Sequence, residues 1–386
     1  MIIRGLFFDR IITNRTFLFM NIILTGATGT LGSQVLFSIL ENRFNELESL
    51  YLIVRKKNKA LPVERVSKML NSNIVPDFIK DNLNTISKKI QVVDAEEILT
   101  PKQFIQTGKL YYFIHSAGFV NLSTDPNSKE EIFKENLTLT QNIFEVYTPY
   151  IKKFIYISTA FSIGKLDALL KNNYISAEKT DYRNYYEASK HAAEKYLVGA
   201  GKDAKIPVQI LRPSVLGGNI MDKPSFFISK YMVFYLFAKF FHRNTSSDSI
   251  RIQANKDSLL NIIPTDYAAK VIAKVFDTAI EQLNIVNSTG TNIFNGITKI
   301  LETVDFRNFK LTQELITTAS DFESTLEKFY YETIGVHLTP YLTSLPQEWD
   351  TTLLESILPI PKYNLEDYLV ATVEFAKNNG FRNQRW

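Results

Sequence analysis

The 386-residue chain contains no cysteine. Disulfides, thiolate nucleophiles and cysteine-based metal sites are therefore excluded. Histidine is scarce as well: His115, His191, His242 and His337 are the full set, and none are spaced as a ligand pair, so no metal is expected. No run reaches the roughly 18 apolar residues that a bilayer-spanning helix needs. The opening stretch "MIIRGLFFDRIITNRTFLFMN" is interrupted by Arg4, Asp9, Arg10 and Arg15, and does not read as a secretory signal. A cytoplasmic location is expected, and residues 1–19 are expected to form an extension without function, since Met20 stands directly before the first strand. Long blocks of one charge are missing too. The net charge of +4 would help to attract a phosphorylated cofactor or an acidic carrier, but it does not point to nucleic acid.

What is present is a regular alternation. The apolar runs "NIILTG" (21–26), "LYLIVR" (50–55), "KIQVVD" (89–94), "KLYYFIHSAG" (109–118), "KFIYIST" (153–159) and "VQILRPS" (208–214) have strand length and close on small or polar residues. Helical patterns lie between them, first from about Leu31 to Arg43 and then across 60–86 with a break at Pro76. Such alternation predicts an α/β fold with a parallel, doubly wound sheet of the Rossmann type. It stops after Arg212. A first domain over 20–218 and a smaller, mostly helical lobe over 219–386 are expected, with a helix over 264–281 packing back on the first domain and Asp266 in its first turn.

Within "LTGATGTLGSQVL", Gly26, Gly29 and Gly32 fall between a strand and a helix, with Thr28, Thr30 and Leu31 in the same turn. Bare backbone at this position lets N–H groups approach a pyrophosphate at a helix N-terminus. The second strand ends on Arg55, followed by Lys56, Lys57 and Lys59, with no carboxylate competing. An arginine here accommodates a 2′-phosphate, whereas an acidic residue would favour the 2′-hydroxyl, so NADPH is expected rather than NADH.

"DYRNYYEASKHAAEKYL" (181–197) offers three tyrosines and Lys190. Tyr186 lies four residues before the lysine, on the same helical face, where an ammonium would favour the phenolate; Tyr182 and Tyr185 fit that facing poorly. Ser158 and Thr159 close the strand of "YISTAFSIG", at the sheet edge where open α/β folds bind ligands. His115 reads as a packed or cofactor-adjacent side chain, and His191 as facing elsewhere on the helix.

Taken together, these motifs resemble the extended short-chain dehydrogenase/reductases, with the TGxxGxxG loop, the hydroxyl after the fifth strand, YxxxK on the next helix and "RPS" after the sixth strand. Within that superfamily, "LYLIVR", "FIHSAGFVNL", "YISTAFS" and "NIIPTDYAAKVI" are similar to stretches of the fatty acyl-CoA reductases of the male-sterility type and of thioester-reductase domains. The likeness covers about 22–275, with a weaker echo in "LTPYLTSLPQEWDTTLLESILP". It implies that Thr159, five residues before Gly164, orients the substrate with Ser158 beside it, that Tyr186 donates a proton, and that Lys190 tunes the tyrosine and holds the cofactor. Asp94, Ser116, Ala117, Gly118, Asn136, Pro213 and Ser214 are implied as further cofactor contacts. The chain departs from the family pattern at Leu139, in "VVDAEE" around Asp94, at Asn261 and in "SAG" at 116–118.

The resemblance further implies hydride transfer from NADPH to the thioester carbonyl of an acyl-CoA or an acyl group on a carrier protein, giving aldehyde or alcohol. A nucleotide-sugar epimerase or dehydratase and another carbonyl reductase of the superfamily are the alternatives, followed by a non-catalytic NADP-sensing protein. The Phe-rich segment 225–243 sets Phe227, Tyr231, Phe234, Ala238 and Phe241 on one helical face, with Lys230 and Lys239 roughly opposite each other. Core packing is its first reading, acyl binding the second and peripheral membrane contact the third.

Overall fold

The structure is a computed structural model that describes residues 19–166, 168–176, 181–316 and 321–383. The expected N-terminal extension lies outside the described residues apart from Phe19. Seven strands form the main sheet: β1 (Met20–Thr25), β2 (Leu47–Val54), β3 (Ile90–Asp94), β4 (Tyr111–His115), β5 (Ile151–Ile157), β6 (Val208–Pro213) and β7 (Gln282–Ile285). All pairings are parallel, in the order β7-β6-β5-β4-β1-β2-β3. The order reverses between β1 and β4, which opens a crevice beyond their C-terminal ends.

Strand alternation explains how the sheet is covered. Every residue of β1 is buried, because helices occupy both faces. Ile22 and Leu24 point into a core shared with α1 (Thr30–Asn42), while Ile23 joins Tyr51, Phe113 and Phe144 on the other side. Beyond β2, α2 (Pro62–Leu70) is followed by the short helices Asp77–Asp81 and Leu83–Ser87, so the break at Pro76 is present. After β4 the chain runs through α3 (Lys129–Phe133), a π turn at Lys134–Thr138 and α4 (Leu139–Tyr147). The long helix α5 (Tyr185–Ala204) then leads to β6.

Two features differ from the sequence reading. Alternation resumes beyond residue 218: after α7 (Thr265–Val275), which packs on α1 but ends short of the expected 281, β7 adds a seventh strand next to β6. The run "QLNI" is too short for its period to show a strand by itself. The Phe-rich segment is not one helix either. Phe226 and Val233 both take left-handed backbone, φ 62° and 51°, and α6 starts only at Phe234, ending at His242. Phe227 and Tyr231 are still buried, but from an irregular stretch.

The C-terminal lobe has its own apolar core, in which Phe237 and Phe241 of α6 meet Ile297 and Leu301 of α8 (Ile293–Thr303) and Leu369 and Val373 of α9 (Leu365–Asn378). Among the described residues, no helix is long and apolar enough to cross a membrane.

Candidate active site

The glycine turn between β1 and α1 is built for close approach. Gly26 has φ 73°, and a Cβ there would lie 2.8 Å from the Ala117 nitrogen. A Cβ on Gly32 would lie 2.1 Å from the Gly26 carbonyl oxygen. Gly32 therefore serves helix–strand packing, while Gly26, Thr28, Gly29, Thr30 and Leu31 face the cavity. No side chain caps α1 at Gly29, and its first turn carries no acidic residue, so the positive end of the helix dipole opens toward that space.

Beyond β4, Ser116, Ala117 and Gly118 line the same cavity. Thr25 bridges to this loop, since its hydroxyl accepts from the Ala117 N–H at 3.1 Å and lies 2.8 Å from His115 Nδ1. His115 is buried between Thr25 and Thr140. Burial, then the nearby Lys190, pulls its pKa down to about 3, which keeps the ring neutral and structural. Asn136, expected to touch the cofactor, instead uses its amide on protein groups. It accepts from the Phe119 N–H at 2.9 Å and donates to the Phe119 carbonyl and the Ser189 hydroxyl at 3.0 and 3.1 Å. It thereby ties the β4 loop to α5.

Ser158 and Thr159 follow β5 and face the cavity with Tyr186 and Lys190 of α5. Asn184 caps α5 by accepting from the Glu187 N–H at 3.0 Å, so the helix starts one residue before Tyr186. The three tyrosines separate cleanly. Tyr182 hydrogen-bonds His191, Tyr185 lies beside the Lys129 ammonium, and only Tyr186 lines the cavity. Lys190 donates to the Ile157 carbonyl at 2.8 Å and stands 4.0 Å from the centre of the Tyr156 ring. Burial brings its pKa down to about 7. The Tyr186 phenol moves the other way from the expectation: burial and then the Glu187 carboxylate push its pKa well up. Desolvation sets the direction here, and the phenol stays protonated at neutral pH.

At the far end of the cavity stand Arg55, Lys57, Arg65 and Lys230. Lys56 is already committed to Asp94 and Glu96, at 3.0 and 3.2 Å. Asp94 caps the turn after β3 and lines the cavity, and Pro213 at the end of β6 and the following Ser214 line it too. Sequence reasoning did not single out Arg65, which donates to the Arg55 carbonyl and, at 2.8 Å, to Thr28 Oγ1. Its distance in sequence from both partners leaves no local signal.

The glycine turn, the β4 loop, Ser158, Thr159, Tyr186, Lys190 and the cations border one cavity of about 960 Å³, which continues into the C-terminal lobe between Val233, Phe237, Leu260, Ile297, Ile300 and Leu338. One end is polar and cationic, the middle carries hydroxyls, and the other end is hydrocarbon. The polar part fits a dinucleotide. A bare backbone cradle and an open helix end face it, and Ser158 Oγ and Ser214 Oγ at its wall are buried without a hydrogen-bond partner.

A family model described as male sterility protein matches residues 24–272. The chain belongs to the male sterility protein family. Fatty acyl-CoA reductase 2 of Mus musculus is 26% identical over 231 residues, covering 52% of this chain and 44% of the relative. The chain spans about half the length of the curated relatives it matches. Among solved structures, the terminal R domain of the myxalamid pathway superposes with TM-score 0.66 at 19% identity, covering 96% of this chain and 93% of that one. UDP-glucuronic acid 4-epimerase of Bacillus cereus, in complex with UDP-glucuronic acid and NAD, gives 0.60 at 17% identity, covering 93% and 100%. These likenesses show a fold shared with that R domain and that epimerase.

Proposed function

We propose that this male sterility protein family member is an NADPH-dependent reductase of acyl thioesters, carried on coenzyme A or on an acyl carrier protein. One observation carries the reading: the glycine loop and the Thr159–Tyr186 hydroxyls open into the same cavity as a hydrocarbon chamber. A nucleotide-sugar enzyme would need polar groups where Ile297, Ile300 and Leu338 stand.

In this reading the glycine turn and α1 hold the pyrophosphate, Arg55 and Arg65 the 2′-phosphate, and Lys190 the nicotinamide ribose. The bound nicotinamide supplies a hydride to the thioester carbonyl carbon. Thr159 and Tyr186 hydrogen-bond the carbonyl oxygen and stabilise the negative charge that develops on it, and the phenol gives up its proton to that oxygen. Collapse of the tetrahedral adduct returns that proton to Tyr186, re-forms C=O, and breaks the C–S bond. The thiolate takes a proton from solvent, leaving aldehyde, thiol and oxidised cofactor. A second round on the aldehyde, with a second reduced cofactor, gives the alcohol, which keeps the proton from Tyr186 while the phenolate takes one from solvent. No covalent enzyme intermediate is required, in keeping with a chain that lacks cysteine.

NADPH oxidation by the purified protein with acyl-CoAs of graded length, set beside chromatographic conversion of UDP-sugars as controls, tests the proposal. Turnover of the acyl-CoAs is the expected result. Turnover of the sugars alone would overturn it.

A further inference from the structure

The segment 226–233 belongs to the C-terminal lobe but lies across the cofactor end of the cleft. Its Ser229 hydroxyl donates to Thr30 Oγ1 in the glycine loop at 3.2 Å. Its other face supplies Ile228, Met232 and Val233 to the cavity. Left-handed residues bound it on both sides, Phe226 at φ 62° and Val233 at φ 51°. That backbone is uncommon for bulky and β-branched side chains, and it holds the strap in an irregular path between two regular parts.

Lys230 sits at the centre of this strap and reaches the rim where Arg55, Lys57 and Arg65 converge. Among the described residues, none of these four cations lies within ion-pair distance of a carboxylate. The contrast with the adjacent Lys56, which has two acidic partners, is direct. Partial burial, then Lys57 and Arg55, hold the Lys230 ammonium below the ordinary lysine range. Like charges brought together by two separate lobes repel unless an anion stands between them. A dianionic phosphomonoester supplies three acceptor oxygens, enough for a fork from Arg65 and a point contact from an ammonium.

We infer that Lys230 completes a phosphomonoester subsite with Arg55 and Arg65, so that the phosphate on the cofactor's adenosine ribose clamps the strap onto the glycine loop. The inference rests on the NADPH reading and extends it. Because the strap also walls the hydrocarbon chamber, binding of the phosphorylated dinucleotide orders the place where the acyl chain will lie. Cofactor first and acyl substrate second is the resulting sequence.

Calorimetric titration of NADP⁺ and NAD⁺ into the wild-type protein, Lys230→Met and Lys230→Arg tests this, together with amide hydrogen exchange over 226–233. The expected result is a Kd for NADP⁺ raised about tenfold in Lys230→Met, the scale of one charge-assisted contact. The Kd for NAD⁺ should be unchanged, which also reports an intact fold, and Lys230→Arg should recover most of the loss. NADP⁺, but not NAD⁺, should slow exchange across the strap in the wild type. An unchanged NADP⁺ to NAD⁺ ratio in Lys230→Met, or equal protection by both nucleotides, would overturn the inference while leaving the NADPH reading intact. A wild type that binds both nucleotides equally would instead remove the reading beneath it. Parallel titration of coenzyme A and dephospho-coenzyme A separates the other source of a ribose phosphate; a Lys230→Met defect confined to coenzyme A would also overturn the assignment.

Discussion

Arg212 of β6 and Glu194 of α5 form a fully buried ion pair: the guanidinium Nε contacts both carboxylate oxygens at 3.0 Å, and a second nitrogen reaches one of them at 2.8 Å. The pair is fully hydrogen-bonded around its edge. Ser162 donates to Glu194 at 2.8 Å, Arg212 donates to the Asn172 carbonyl and to Gln282 of β7, and the Tyr174 ring stacks 4.2 Å from the guanidinium carbon. Glu194 stands one turn beyond Lys190 on the same helix. The "RPS" motif thus anchors α5 to the sheet through its arginine, and faces the cavity through its proline and serine.

Glu194→Ala leaves that guanidinium charged and unpaired in the interior. A loss of about 3–5 kcal/mol in unfolding free energy is expected, read from urea denaturation. A loss below 1 kcal/mol would mean that water reaches Arg212.

Tyr186→Phe removes the only tyrosine of its stretch that lines the cavity. Turnover should fall by about 10²–10⁴-fold while NADPH still binds, as followed by fluorescence titration. Tyr185→Phe, outside the cavity, should keep activity within a few-fold of wild type. Reversed outcomes would reassign the proton donor.

Lys190 gives the stability a pH signature. Its folded pKa is about 7, below the ordinary lysine value of 10.5, so between those limits the unfolded chain holds more protons than the native one. Unfolding free energy should therefore gain from this group as pH rises from 7 toward 10, and its burial cost is fully present below 7. In Lys190→Met that slope should flatten, measured by denaturant midpoints at several pH values. The same substitution should weaken cofactor binding.

Gly26→Ala forces a side chain into a φ of 73° and to 2.8 Å from the Ala117 nitrogen. A destabilisation of about 1–3 kcal/mol is expected from the backbone alone. Nucleotide affinity should drop further than folding does, because the turn that faces the pyrophosphate must shift. Thermal melts and titration on the same sample separate the two losses.

Ile300 stands on α8 at the hydrocarbon end of the cavity. Ile300→Trp should shorten that chamber. Among a series of acyl-CoAs, kcat/KM for the longest chains should fall at least about tenfold relative to short ones, since each lost methylene contact discriminates on that scale. An unchanged length profile would place the acyl group elsewhere.

Much of this architecture is visible in the chain because its signals are local. Five of the six apolar runs bury on both faces, the edge strand β3 staying partly exposed, and their lengths and boundaries announce parallel strands before any contact is known. The glycine turn and the Tyr186–Lys190 spacing are equally local, for a turn and a helix each need only a few residues to express their geometry. The seventh strand was hidden because four residues carry no period, and only the exposed edge of β6 makes them a strand.

The sequence by itself therefore determined six strands of the sheet, the phosphate turn and which of the three tyrosines lines the cavity. Tertiary structure alone decided how the phenol titrates, since the surrounding fold desolvates it and so favours the protonated form. It also decided that Asn136 serves Phe119 and Ser189, that Arg212 meets Glu194, and that Lys230 comes to stand over the loop of Arg55. Each of those outcomes depends on residues 17 to 175 positions apart, a separation over which no periodic pattern survives and only packing can choose the partner.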